Sequence, residues 1–103
     1  MNLGQAIKSA RKKAGLTQTE LAERIDIAQT SLSQIEVGSI NPSPKTIKAV
    51  CEALHISEAL LYILSVDEND IPKGKEELYD ILMPSVREMA LRLVTPNDSV
   101  EQQ

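Results

Sequence analysis

Apolar side chains recur at helical spacing along the first 64 residues, in short stretches separated by polar and turn-forming residues. The first stretch predicts a helix from about Asn2 to Ala14, with Asn2 as its cap and Gly15 at its end. One face of this helix carries apolar residues at i, i+4, i+7 and i+11, namely Leu3, Ile7, Ala10 and Ala14.

A second and a third helix follow, joined by a tight corner. Thr17 and Glu20 have capping-box spacing, in which each side chain accepts a hydrogen bond from the other residue's amide. The third helix is predicted at about residues 29–37, closed by Gly38. Residues 17–38 therefore predict a helix-corner-helix unit.

Two further helices complete a predicted first domain, residues 1–64. Ser43-Pro44 starts one of them, with Ser at the cap and Pro in the first turn, and Ser57 caps the other. The rest of the chain is predicted to form a linker, an amphipathic helical extension and a disordered tail, over residues 65–75, 76–95 and 96–103.

Seven apolar residues of the extension are predicted to fall near one face: Leu78, Ile81, Leu82, Val86, Met89, Leu93 and Val94. Pro84 interrupts the run, and either kinks one helix or starts a second. The apolar face has two interpretations, packing on the chain's own core or a dimer contact. The candidate dimer contacts are Leu78, Leu82, Val86, Met89 and Leu93.

Composition favours an all-α fold. Helix-forming residues dominate, and no run alternates β-branched and aromatic residues as strands do. Cys51 is the only cysteine, so no internal disulfide forms. The sequence has no signal peptide and no run of about 18 apolar residues, which predicts a cytoplasmic protein without a membrane segment.

Charge is distributed unevenly along the chain, although its formal net value is -4. Residues 1–54 hold seven Lys/Arg and five Asp/Glu, a net of +2. Residues 55–103 hold four Lys/Arg and ten Asp/Glu, a net of -6. The acidic total therefore does not exclude an anionic partner for the first half.

Enzyme chemistry finds little support in the sequence. Ser9 and Lys12 match the S-x-x-K pattern of some acyl enzymes, but the accompanying motifs are missing. His55 and Cys51 do not have zinc-ligand spacing. We therefore expect no catalytic residues, no metal and no cofactor.

The ordered motifs of residues 3–64 resemble the Cro-type helix-turn-helix family, also called XRE, whose fold is the five-helix lambda-repressor-like domain. The resemblance rests on Arg11-Lys12-Lys13-Ala14-Gly15-Leu16-Thr17-Gln18, Glu20-Leu21-Ala22, Ser33-Gln34-Ile35-Glu36, Gly38, Pro42 and Pro44. Two positions depart from the family pattern. Asp26 replaces the usual corner glycine, and Ala28 stands where a Ser or Thr cap is common. Asp26 is a possible substitute for that missing cap.

The resemblance implies a recognition helix in the DNA major groove and a structural ion pair between Arg11 and Glu36. It implies base contacts from Gln29, Thr30, Ser33 and Gln34. It implies a phosphate contact from Gln18. We expect further phosphate contacts from residues that line the neighbouring loop, Ser31, Asn41, Ser43 and Lys45.

The expected function is sequence-specific DNA binding by a transcriptional regulator, a repressor that binds a palindromic operator in double-stranded DNA as a homodimer. One alternative is an antitoxin whose acidic C-terminal region binds a basic toxin while the N-terminal domain represses the operon. A second alternative is a protein-interaction module without DNA binding.

Overall fold

The computed structural model describes residues 1–96 and is all-helical over that range, which confirms the predicted fold class. Five α-helices form the first part of the chain: α1 Leu3–Lys13, α2 Gln18–Arg24, α3 Gln29–Glu36, α4 Pro44–Leu54 and α5 Glu58–Ser65. A short 3-10 helix, Glu68–Asp70, and a sixth helix, α6 Glu76–Arg92, follow. The predicted disordered tail falls almost entirely on residues 97–103, outside the described residues.

The predicted caps are present at four helix starts. Each capping side chain accepts a hydrogen bond from a backbone amide in the first turn of its helix, and the four caps are Asn2, Thr17, Ser43 and Ser57. Thr17 and Glu20 also complete the reciprocal capping box, with bonds of 2.9 and 3.1 Å. These starts are encoded locally, because each capping side chain and the amide that donates to it lie three residues apart.

The ends of α1 to α4 share one backbone motif. A residue with positive φ follows each helix, and two amides fold back onto carbonyls of the last turn in the 6→1 and 5→2 pattern. Gly15 and Gly38 hold this position after α1 and α3. Asp26 and His55, each with φ of 58°, hold it after α2 and α4.

Helix α1 lies at the centre of the core and contacts α3, α4, α5 and α6. Its inner face is lined by small and medium side chains, Ala6, Ile7 and Ala10, all at most 1% exposed. Leu21, Leu32, Val50 and Leu61 close the core from the other helices and are fully buried. An aliphatic core of this kind stabilises the fold by removal of apolar area from water.

Helix α6 is one continuous helix that contains Pro84, so of the two alternatives left open at Pro84 the structure excludes the start of a second helix. Pro84 has no N–H to donate to the carbonyl of Asp80, but both residues are exposed, so water can satisfy that carbonyl. The prediction that the apolar residues of this segment share one face is also wrong, because they divide between a buried side and an exposed side. Val94 is 1% exposed and packs into the core with Ala90, whereas Leu78 and Leu93 are more than half exposed.

The segment predicted as a linker, residues 65–75, has local structure. Ser65 belongs to α5, and Asp67 caps the 3-10 helix by accepting from the Asn69 amide at 3.0 Å. The α-amino group of Met1 lies 2.9 Å from carboxylate oxygens of both Asp67 and Asp70. The Arg87 guanidinium donates to the Val66 carbonyl at 2.6 Å, which ties α6 to the end of α5.

Candidate nucleic-acid interface

Helices α2 and α3 meet at a tight corner packed on the core. Ala22 is 2% exposed and Leu32 is fully buried, so a small side chain on α2 allows the two helices to cross closely. Asp26 makes the turn, with its own amide bonded to the Glu23 carbonyl and the next amide, of Ile27, bonded to the Ala22 carbonyl at 3.0 Å. This corner fixes the angle at which α3 leaves the protein surface.

Helix α3 presents a polar face to solvent. Gln29, Thr30 and Gln34 are exposed and Ser33 is half-buried. Thr30, Ser33, Gln34 and Val37 follow helical spacing of i, i+3, i+4 and i+7, so they share one side. Val37, 71% exposed, was not among the predicted contacts, although its spacing from Thr30 places it on this face.

The residues predicted to contact phosphate lie at three places around α3. Gln18 stands at the start of α2, Ser31 in the first turn of α3, and Asn41, Ser43 and Lys45 in the α3–α4 loop and the start of α4. Asn41 and Lys45 are exposed, while Gln18 and Ser31 are half-buried. The Ser43 hydroxyl is already engaged, because it accepts from the Thr46 amide and lies 3.0 Å from the Thr46 hydroxyl.

A buried ion pair anchors the end of α3 to α1. Arg11 Nε and Nη2 donate to the two carboxylate oxygens of Glu36 at 2.7 and 3.0 Å, and Nη1 donates to the Leu16 carbonyl at 2.8 Å. The two side chains are 8% and 1% exposed. Removal of one partner from a buried pair of this kind costs about 3–5 kcal/mol, because the other charge is left without compensation.

The same carboxylate is linked to the exposed start of α3. Gln18 Nε2 donates to Glu36 Oε1 at 2.9 Å, and Gln29 Nε2 donates to Gln18 Oε1 at 2.7 Å. A carboxylate only accepts hydrogen bonds, so Gln18 must turn its amide nitrogen toward Glu36 and its oxygen toward Gln29. These hydrogen bonds therefore link the buried Glu36 carboxylate to the exposed Gln29 side chain and fix the orientation of Gln29.

Gly4 also positions α3, and the sequence analysis did not identify it. A Cβ atom at Gly4 would lie 2.1 Å from the Ile35 carbonyl oxygen and 3.1 Å from that of Glu36. The backbones of α1 and α3 therefore cross in direct contact at this point, which any larger residue would push apart. The only sequence signal for this crossing was a glycine near the start of a predicted helix. A glycine alone does not indicate which other helix approaches it.

Two pKa shifts fit the local geometry. The Thr17 backbone amide, followed by its hydroxyl, lowers the pKa of the Glu20 carboxyl, so its contribution to stability is present above the unfolded pKa and is lost as pH falls through the lower folded value. Burial raises the pKa of the Cys51 thiol to about 11. The Cys51 thiol is therefore protonated at neutral pH and is a core side chain rather than a nucleophile.

Comparison with known proteins matches residues 7–61 to the helix-turn-helix family. The chain is 36% identical over 90 residues to the immunity repressor protein of Bacillus phage phi105, and these cover 76% of this chain and 62% of that protein. It is 33% identical over 88 residues to the HTH-type transcriptional regulator ImmR of Bacillus subtilis, covering 85% of this chain and 65% of that protein.

A shorter similarity links the chain to antitoxin PezA of Streptococcus pneumoniae, 38% identical over 55 residues, which cover 53% of this chain and 35% of that protein. The chain thus spans less than two thirds of the length of each of these three relatives. No solved structure matches it. None of the helices within residues 1–96 is both long and apolar enough to cross a membrane. With more than half of its residues matched, the chain belongs to the helix-turn-helix family.

Proposed function

We propose that this protein is a cytoplasmic transcriptional regulator that represses its target genes by binding a palindromic operator as a homodimer. The helix-turn-helix family is one of DNA-binding regulators rather than enzymes, and two relatives are named as a repressor and a transcriptional regulator. The observation that carries the proposal is the hydrogen-bond chain from Glu36 through Gln18 to Gln29. It holds an exposed amide in one orientation at the start of α3.

That orientation suits an adenine. Gln29 uses one N–H to reach Gln18, which leaves its second N–H and its carbonyl oxygen for a DNA base. Glutamine pairs with adenine through such a donor and acceptor, at N7 and N6 of the base. Thr30 and Val37 present methyl groups on the exposed side of α3, which suits thymine methyls. We propose an operator half-site that contains A·T pairs read by these residues together with Ser33 and Gln34.

Phosphate contacts complete the proposed interface. Gln18 with the amides at the start of α2, Ser31, Asn41, Ser43 and Lys45 surround α3 on the side where the DNA backbone would pass. Only Lys45 among these side chains carries a positive charge, so one domain alone binds weakly. A homodimer on two half-sites about 34 Å apart supplies the missing affinity.

A selection from random double-stranded oligonucleotides at moderate salt tests the proposal. We expect the wild type to enrich one palindromic site. Gln29→Ala and Gln34→Ala should each change base preference, with a loss of about 1–3 kcal/mol at the position that each reads. Gln18→Ala should weaken binding to all sequences, because it loses a phosphate contact. It should also relax the preference at the position read by Gln29, because it removes the hydrogen bond that orients that side chain.

Gln5→Ala provides the matched control, since Gln5 is an exposed glutamine beside Arg87 and Leu91, away from α3. It should leave the enriched site unchanged. A wild-type protein that enriches no sequence would refute the DNA-reading proposal and would favour a module that binds only proteins.

An antitoxin is the second candidate, favoured by the similarity to PezA and by the net charge of -6 on residues 55–103. In that case the acidic half would bind a basic toxin while the helix-turn-helix represses the operon. The repressor interpretation fits better, because the PezA similarity covers only about half of this chain. A neighbouring gene for a small basic protein that co-purifies with this chain would reverse that preference.

A further inference from the structure

Helix α6 carries two apolar sides. One side packs on α1 and α5 through Ala90, Leu91 and Val94. The other side, here called the α6 stripe, consists of Leu78, Leu82, Val86, Met89 and Leu93. Four members of the stripe are 50–69% exposed, and Val86 is half-buried.

Four members of the α6 stripe, Leu78, Leu82, Met89 and Leu93, have the same spacing when read in either direction, and Val86 falls opposite Ser85. The centre of symmetry lies between Ser85 and Val86. Leu78 and Leu93 are equally far from it on opposite sides, and so are Leu82 and Met89. Two copies of α6 laid antiparallel about that centre therefore pair Leu78 with Leu93 and Leu82 with Met89, twice each. A contact of this type is isologous, as a two-fold dimer requires.

Charges on α6 favour the same antiparallel arrangement. The first turns carry Glu76, Glu77 and Asp80, and the last turn carries Arg92, which donates to Glu88 of its own helix at 3.1 Å in an exposed pair. In the antiparallel register, Glu77 of one copy lies within about 3 Å along the axis of Arg92 of the other, from the rise of 1.5 Å per residue. A parallel pair would bring the acidic turns together and the two Arg92 side chains together, and would also align the two helix dipoles unfavourably.

We propose that the α6 stripe binds the α6 stripe of a second copy of this chain, antiparallel, with the two-fold axis beside Ser85. Ser85 is exposed and lies on the side of the helix that carries the stripe. Ile71 and Pro72 lie against Leu78 and Leu82 and extend the apolar surface. The inference deepens the proposed function by assigning its homodimer contact, but it does not depend on DNA.

A charge exchange in the full chain tests the register, read out by sedimentation equilibrium without DNA. Glu77→Arg and Arg92→Glu should each weaken the dimer roughly tenfold, because each places two like-charge contacts across the two-fold axis. The double variant restores opposite charges at both contacts and should regain wild-type association. A parallel pair, or a dimer through another surface, predicts no loss in the single variants.

Cysteine cross-linking gives a second, independent readout. Ser85→Cys places the new thiol next to its symmetry mate and should form a disulfide-linked dimer under mild oxidation. Leu78→Cys should not link to itself, since the two copies of residue 78 would lie about 22 Å apart along the axis. Leu78→Cys mixed with Leu93→Cys should form a linked heterodimer. The wild type should stay unlinked, because Cys51 is 3% exposed.

The outcomes separate this inference from the proposed function. A chain that remains monomeric at all accessible concentrations, or single variants with unchanged association, overturns the antiparallel contact. If such a chain still selects a DNA sequence, the regulator proposal survives without it. A chain that dimerises through α6 but selects no DNA sequence supports the contact and refutes the DNA-reading proposal.

Discussion

Asp26 and His55 both have φ of 58°, in the left-handed region where a Cβ atom crowds the backbone. Both follow a helix, and each allows its own amide and the next one to donate to carbonyls of the last turn. Asp26 was a possible substitute for the missing cap of α3, and that idea is wrong, because α3 has no side-chain cap within residues 1–96. Its carboxylate therefore provides no compensation for the strained backbone.

We expect Asp26→Gly to raise the free energy of unfolding by about 1 kcal/mol, since glycine adopts positive φ without the steric cost. His55→Gly should act in the same direction for the same reason. Urea unfolding monitored by circular dichroism measures both changes. Gly15→Ala is the opposite control: its φ is +79° with open space around the position, so it should destabilise through backbone strain alone. A less stable Asp26→Gly protein would mean that the carboxylate stabilises the corner.

Helix α3 is the least well capped of the first five helices. Ala28 has the extended conformation of a cap, with φ of -68° and ψ of 146°, but no side-chain oxygen to accept from the amides that follow. The eight residues of α3 also hold no acidic side chain in the first turn and no basic one in the last. Its position depends instead on tertiary contacts, above all the Glu36 ion pair and the crossing at Gly4.

Ala28→Ser should stabilise the protein by about 1 kcal/mol, because the new hydroxyl can accept from the amide of Thr30 or Ser31. Native-state hydrogen exchange of the α3 amides, together with thermal unfolding, measures the gain. Ala28→Val is the matched control, since it suits the extended backbone but offers no acceptor. Equal effects from Ser and Val would show that the cap is not the cause.

The elements were predictable from sequence where their signals are local. The caps at Thr17 and Ser43, and the glycine ends at Gly15 and Gly38, depend on residues within one turn of each other. The contacts that position the site are not local, because they join residues far apart in sequence. The separation of Gly4 and Ile35 in the sequence does not indicate that their backbones are in contact.

The difference between local signals and long-range contacts also explains why the prediction for α6 was only partly correct. Helical periodicity identified its apolar residues, but it could not say which of them face the protein. Val94 was grouped with Leu93, yet one is buried and the other is 69% exposed. The division depends on how α6 docks on α5, which Arg87 fixes by donating to the Val66 carbonyl. The Tyr79 hydroxyl, which lies on α6 itself, accepts from the same guanidinium and orients it.

At the scale of the whole molecule, the sign of charge changes along the chain. The net +2 of residues 1–54 accompanies the helix-turn-helix, and the net -6 of residues 55–103 accompanies α5, the 3-10 helix and α6. A polyanion would be attracted to the first part and repelled by the second, which orients the molecule before contact. With few cations at the proposed interface, affinity depends less on counterion release than in strongly basic DNA-binding proteins.

Substitutions of Lys45 and Lys73 test whether a local phosphate contact or the net charge sets the salt dependence, because each removes one positive charge. Lys45→Ala should weaken operator binding about uniformly across sequences and should reduce the slope of log affinity against log salt by about 1 per domain, since one phosphate contact is lost. Lys73→Ala changes the net charge by the same amount, but Lys73 lies between the 3-10 helix and α6, and its slope should match that of wild type. Fluorescence anisotropy on the selected operator at several salt concentrations measures both. Equal slopes for the two variants would mean that Lys45 acts only through net charge and does not contact a phosphate.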